Sequence, residues 1–277
     1  MQPSPKGQAV RPPVVAGAFY PETPSRLNRL VDDFLSRALG SAPAAPKAVI
    51  APHAGYDYSG PIAGSAFRPW QSRRSQIKRV VLIGPSHRVA FDGLALTRHD
   101  AWQSPLGLVP VDLEAVEMLA RLPAAKFFEE AHAYEHCLEV ELAFLQKVLD
   151  SFSIVPIVTG DVAPEVVADA LALLWGGDET VYVISSDLSH YLDYASAQKL
   201  DRHTADAIEE LAPAKIRHHQ ACGRTAIQGF LQVAEQKKLE AATLDLRNSG
   251  DTAGGYDRVV GYGAFSFTAA STPPKAA

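Results

Sequence analysis

Arg79-Val80-Val81-Leu82-Ile83-Gly84-Pro85-Ser86-His87 reads as a buried parallel strand that stops at Gly84-Pro85 and then presents a histidine. Val80 to Ile83 are aliphatic without polar alternation, so both faces of the strand are covered. Gly84 and Pro85 break the strand and turn the chain. His87 then lies just past a strand's carboxyl end, where open α/β sheets build their sites. The pattern recurs twice. Lys47-Ala48-Val49-Ile50-Ala51-Pro52 leads into His53, and Val181-Tyr182-Val183-Ile184-Ser185-Ser186 leads into Asp187 and His190. Apolar strands that each end in metal-binding or proton-moving groups predict an α/β domain with its chemistry at the strand ends.

Composition narrows the class. Of 277 residues 47% are hydrophobic, enough for a full core, and the net charge is −5. No block of Lys or Arg stands out, which argues against nucleic acid and anionic membrane surfaces as partners. Cys137 and Cys222 are too few for a disulfide framework and fit a reducing compartment. No apolar run reaches membrane-spanning length, and the first residues lack an apolar signal core. The expectation is a soluble cytoplasmic protein.

The remaining chain reads as one domain over residues 10–268, with flexible tails at 1–9 and 269–277 and a linker at Ser41 to Pro46. Helical spacing runs through Leu27, Leu30, Val31, Phe34 and Leu35. Ala54 to Gly60 is a loop by composition, with Pro61 opening a short helix through Phe67. Asp112 is placed to cap a helix that buries Val116, Leu119 and Leu122. Glu135 to about Asp150 reads as one longer helix, with His136 and Glu139 on a shared face. A helix over Pro164–Leu174, another over Tyr194–Leu211 and a third from Cys222 to about Gln236 follow. Ala241–Asn248 and Val259–Thr268 are closing strands.

His53, His87 and Cys222 form the first candidate metal set. Imidazole and thiolate together suit Zn, Fe or Cu, and three protein ligands leave a position open for water or substrate. The helix terminus after Cys222 and nearby Arg224 favour its thiolate. Taken singly, each has a plainer reading: a strand-end histidine as a hydrogen-bonded structural group, a helical cysteine as a core filler. Asp187 either orients a ligand histidine, binds metal or caps a helix. His190 is placed to shuttle protons near neutral pH. His136 and Glu139 are either part of the site or a solvated helix face. His218 and His219, close before Cys222, offer a local clip that would leave the strand-end residues without a role. A blue-copper centre wants an axial Met, and Met1 and Met118 lie far from these motifs. No Gly-x-Gly-x-x-Gly or Walker-type loop is present.

Ala51-Pro52-His53-Ala54-Gly55-Tyr56, Gly84-Pro85-Ser86-His87, Glu135-His136 with Glu139, Ser185-Ser186-Asp187 with His190, and Cys222-Gly223-Arg224 occur in that order. In this the sequence resembles the Memo family, whose prokaryotic members are known as AmmeMemoRadiSam system protein B. The resemblance covers about residues 10 to 268 and implies the fold of class III extradiol (LigB-type) dioxygenases. That fold is a single three-layer α/β domain with a central mixed, largely parallel sheet flanked by helices. It further implies His53, His87 and Cys222 as metal ligands, with Asp187, His190 and His136 lining the pocket. The dioxygenases use a Glu where Cys222 stands here, which shifts the expectation from ring cleavage toward copper or redox chemistry. The family name implies a radical SAM protein and an AMMECR-type protein as system partners.

Three functions then compete. The first is a metal-dependent oxidoreductase using Fe(II) or Cu. The second is a non-catalytic module that holds a small molecule or peptide in the strand-end pocket. The third is a zinc hydrolase using metal-bound water.

Overall fold

The computed structural model describes residues 9–40 and 46–270. The expected tails and linker fall almost wholly outside these residues.

The elements follow in chain order. The first half holds β1 (Val10–Arg11), α1 (Pro24–Ser36), β2 (Ala48–Ala51), α2 (Tyr56–Phe67), β3 (Arg79–Pro85), β4 (Leu94–Leu96), β5 (Ala101–Ser104), β6 (Gly107–Pro110) and α3 (Leu113–Leu119). The second half holds β7 (Ala125–Phe127), α4 (Glu129–Ala133), α5 (Leu142–Val148), β8 (Ser153–Thr159), α6 (Pro164–Leu173) and β9 (Thr180–Ser185). It closes with β10 (His190–Leu192), α7 (Tyr194–Glu209), α8 (Arg224–Gln236), β11 (Leu239–Asn248) and β12 (Val259–Ala269).

A nine-stranded mixed sheet runs β10-β12-β2-β9-β3-β8-β4-β7, with β11 paired to β12. Its centre, β2-β9-β3-β8, is parallel. Those are the strands that read as unbroken apolar runs, and they are buried along almost their whole length. Parallel strands need crossovers, and right-handed crossovers running in opposite directions along a sheet fall on opposite faces. The connection β2-α2-β3 runs one way and β8-α6-β9 runs back. Thus α1, α2 and α5 pack together on one face, while α6, α7 and α8 cover the other. The result is the expected three-layer arrangement. A separate small sheet, β1-β5-β6, lies outside the main one.

Two expectations are corrected. The stretch Ala54 to Gly60 is helical from Tyr56, and Pro61 sits inside α2. Tertiary packing overrides the poor helical composition here. A Cβ on Gly60 would meet the Phe34 ring at 2.3 Å, and one on Gly64 would meet the Phe34 carbonyl oxygen at 2.7 Å. Only glycines let α2 approach α1 so closely. Second, Glu135 to Asp150 is not one helix. Residues 134–138 form a turn, a short 3-10 segment covers Glu139–Glu141, and α5 begins at Leu142. The predicted apolar stripe Leu138, Leu142, Leu145 and Leu149 is nonetheless buried.

The strand beginning at Arg79 also reaches further than expected. Gly84 and Pro85 still pair with Val158 and Thr159 of β8, because proline is tolerated where the ladder ends.

Candidate metal centre

Strand order brings the three sequence motifs together. β9 lies between β2 and β3, so the chain leaving β9 emerges between those leaving its neighbours. The Asp187 carboxylate accepts the backbone N–H of His53 at 2.8 Å, which ties two of the strand ends together. Burial raises the Asp187 pKa above the usual range.

His53 is buried, and both ring nitrogens are engaged. Nδ1 lies 2.8 Å from Ser185 Oγ, and Nε2 lies 3.2 Å from Cys222 Sγ. Burial, with His87 alongside, holds its pKa well below the usual value, so the ring is neutral. His87 is fixed by Glu135: Oε1 lies 2.9 Å from Nδ1, and Oε2 accepts the backbone N–H. Burial alone would raise the Glu135 pKa, but hydrogen bonds from His87 and the Cys137 N–H hold it at about 2. An ionised acceptor fixes a proton on Nδ1 of His87, so Nε2 is the ring nitrogen left to a ligand.

His136 completes the group. It does not lie on a solvated helix face, because the chain is not helical there. Its ring rests 4.6 Å from that of Phe19 and 4.7 Å from that of His87. Burial, then His53, push its pKa down to about 4. The ligand atoms of His53, His87 and His136 all lie within 4.8 Å of one another. Glu139, by contrast, turns away. It is 1% exposed and pairs with Arg11 at 2.7 Å, while accepting from Tyr20 and the Val14 and Val15 N–H groups.

Cys222 enters from the turn before α8, with Gly223 as the helix cap. A Cβ on Gly223 would lie 2.7 Å from the Ser185 carbonyl oxygen, so glycine there lets the turn close over β9. The Cys222 N–H donates to the Asp187 carbonyl at 3.2 Å, and its Sγ accepts the Asp187 N–H at 3.3 Å. The expected thiolate is corrected. Burial and the Asp187 charge push the thiol up to about 12, outweighing the hydrogen bonds from Ser186 and the Asp187 and Gly223 N–H groups. Without a metal it is a thiol 3.2 Å from Nε2 of His53.

His190 sits at the rim, exposed, with Nδ1 2.8 Å from the Leu188 carbonyl. His218 and His219 are exposed in a separate turn and join no metal-type cluster among the described residues. A cavity of about 570 Å3 opens beside Cys222, lined also by Ser86, Phe91, Asp92, Asp161 and Thr225. Sequence reading gave no role to Ser185, Glu141 or Arg11. Glu135 stands directly before His136 in the sequence, and that adjacency is the signal for its role.

The family model described as Memo-like protein matches residues 11–266, which contain every residue of the cluster. The chain belongs to the Memo family. This Memo chain is 37% identical over 265 residues to a MEMO1 family protein of Aquifex aeolicus, covering 91% of this chain and 97% of that one. It is 36% identical to one from Archaeoglobus fulgidus, covering 93% and 99%. For the relative from Thermotoga neapolitana the values are 35%, 91% and 98%. Among the described residues, no helix is long and apolar enough to cross a membrane.

Proposed function

We propose that this Memo chain is a metal-dependent oxidoreductase on a dioxygenase-like scaffold, with His53, His87 and Cys222 holding the metal and His136 within reach of it. One observation carries the reading. Cys222 Sγ lies 3.2 Å from Nε2 of His53, and His53 belongs to a cluster with His87 and His136, not itself including Cys222, whose ligand atoms fall within 4.8 Å of one another. The donors are imidazoles plus a thiol, a set that fits Fe(II) or Cu, with Zn as the redox-silent choice. Bound iron or copper would supply one-electron chemistry, whereas zinc would supply only Lewis acidity.

The chain's own groups then have separate tasks. Glu135 orients His87, and Asp187 anchors the His53 backbone. His190 keeps Nδ1 on a carbonyl and offers Nε2 to take or return a proton. His136, neutral at pH 7 and with its buried Nδ1 lacking a hydrogen-bond partner among the described residues, has a ring nitrogen to offer a bound ligand. The adjoining cavity has room for a small organic substrate.

A second reading, capture of a small molecule or peptide without turnover, draws support from the rim. Tyr134 and Tyr191, chain neighbours of Glu135 and His190, are 74% and 62% exposed. Dioxygen uptake separates the two. Iron- or copper-loaded wild type should consume dioxygen with a reductant and lose this with His53→Ala. Uptake that is equal in wild type and variant rejects the oxidoreductase reading.

A further inference from the structure

The hydroxyl of Ser185 has more polar neighbours than hydrogens. Its Oγ lies 2.6 Å from the Cys137 carbonyl, 2.8 Å from His53 Nδ1 and 2.9 Å from Glu141 Oε1. A serine hydroxyl gives one hydrogen and accepts at two lone pairs. The Cys137 carbonyl can only accept, and it is the nearest of the three, so it takes the hydrogen. The other two neighbours must then both donate, or lone pairs would face each other at hydrogen-bond distance.

Glu141 suits that demand. It is completely buried, and no Lys or Arg pairs with it among the described residues. Its second oxygen, Oε2, is buried without a partner. A carboxylate with one hydrogen bond and no cation is costly in such surroundings, while the neutral acid is not. Burial accordingly raises its pKa well above the usual value.

We propose that Glu141 is a positioning residue held as the neutral acid. It donates through Oε1 to Ser185, Ser185 donates to the Cys137 carbonyl, and the remaining lone pair of Ser185 fixes the His53 hydrogen on Nδ1. The bare Nε2 is thereby aimed at Cys222 before any metal arrives. An ionised Glu141 would draw the Ser185 hydrogen to itself, strand the Cys137 carbonyl and leave the lock incomplete. The role of this relay in metal capture rests on His53 being a ligand; the tautomer itself does not.

The test uses metal-free protein at neutral pH. Long-range 1H–15N correlation spectra should show His53 as the Nδ1–H tautomer in wild type and in Glu141→Gln, whose amide still donates to Ser185. Infrared difference spectra between the same two proteins should show a protonated carboxylic acid band present only in wild type. Ser185→Ala should lose the tautomer preference and bind Fe(II) or Cu roughly 10–100-fold more weakly. An Nε2–H tautomer in wild type, or no carboxylic acid band, overturns the proposal. Neither spectral result depends on metal binding, so failure here is distinct from failure of the oxidoreductase reading.

Discussion

Glu135 grips His87 at two points, its ring and its own backbone. Oε1 lies 2.9 Å from Nδ1, and Oε2 lies 2.6 Å from the peptide nitrogen. The carboxylate also receives the His136 and Cys137 N–H groups. One buried anion therefore sets the direction of one imidazole and the course of the chain that carries another. Glu135→Gln keeps the shape but cannot accept at both oxygens. Metal affinity should fall roughly 10–100-fold, read by competition with a chromophoric chelator. Unchanged affinity would deny Glu135 this orienting role.

Arg11 supports that turn from outside. Its guanidinium donates to the carbonyls of His132 and Glu135 at 2.8 and 2.6 Å and pairs with Glu139 at 2.7 Å. Both partners of the pair are buried. Arg11→Met strands the Glu139 charge and should cost about 3–5 kcal/mol in urea unfolding. A cost below about 1 kcal/mol would place this pair with exposed, screened ones.

The approach of α2 to α1 gives a packing prediction. A Cβ at position 64 would sit 2.7 Å from the Phe34 carbonyl oxygen, a backbone atom that cannot rotate aside. Gly64→Ala should destabilise by about 1–3 kcal/mol although alanine favours helix. A gain in stability would show that the two helices separate freely.

His132 supplies a pH dependence away from the cluster. Burial lowers its pKa to about 4, and its Nε2 lies 3.1 Å from the Ala95 carbonyl. Below pH 6.5 the unfolded chain takes a proton that the folded chain refuses until about pH 4. Stability should therefore fall as pH drops through that window, by up to about 1.4 kcal/mol per pH unit from this residue. His132→Phe should remove that share of the slope in urea titrations run at several pH values. Parallel slopes in the two proteins would refute it.

Much of this was legible in the sequence, for physical reasons. Unbroken runs such as Val80 to Ile83 can only be doubly covered strands, and the residues after them must then gather at one sheet edge. That logic brings His53, His87 and Asp187 to neighbouring strand ends. What stayed hidden depends on contacts distant in sequence. Gly60 and Pro61 read as a loop because local propensity says nothing of Phe34 waiting opposite. Glu135 to Leu142 has helical spacing, yet Glu135 spends its carboxylate on backbone N–H groups and holds the turn open. Ser185 looked like the polar end of a strand. Its meaning requires His53, Cys137 and Glu141 around it, from three other segments.

Elemental analysis of anaerobically purified wild type beside His53→Ala and Cys222→Ala reads the metal site itself. Near-stoichiometric iron or copper in the wild type, lost in both variants whose near-ultraviolet circular dichroism shows them folded, is the predicted outcome. Equal metal content in all three proteins, or no transition metal in any of them after reconstitution, would mean that these side chains meet at the strand ends for some purpose other than holding an ion.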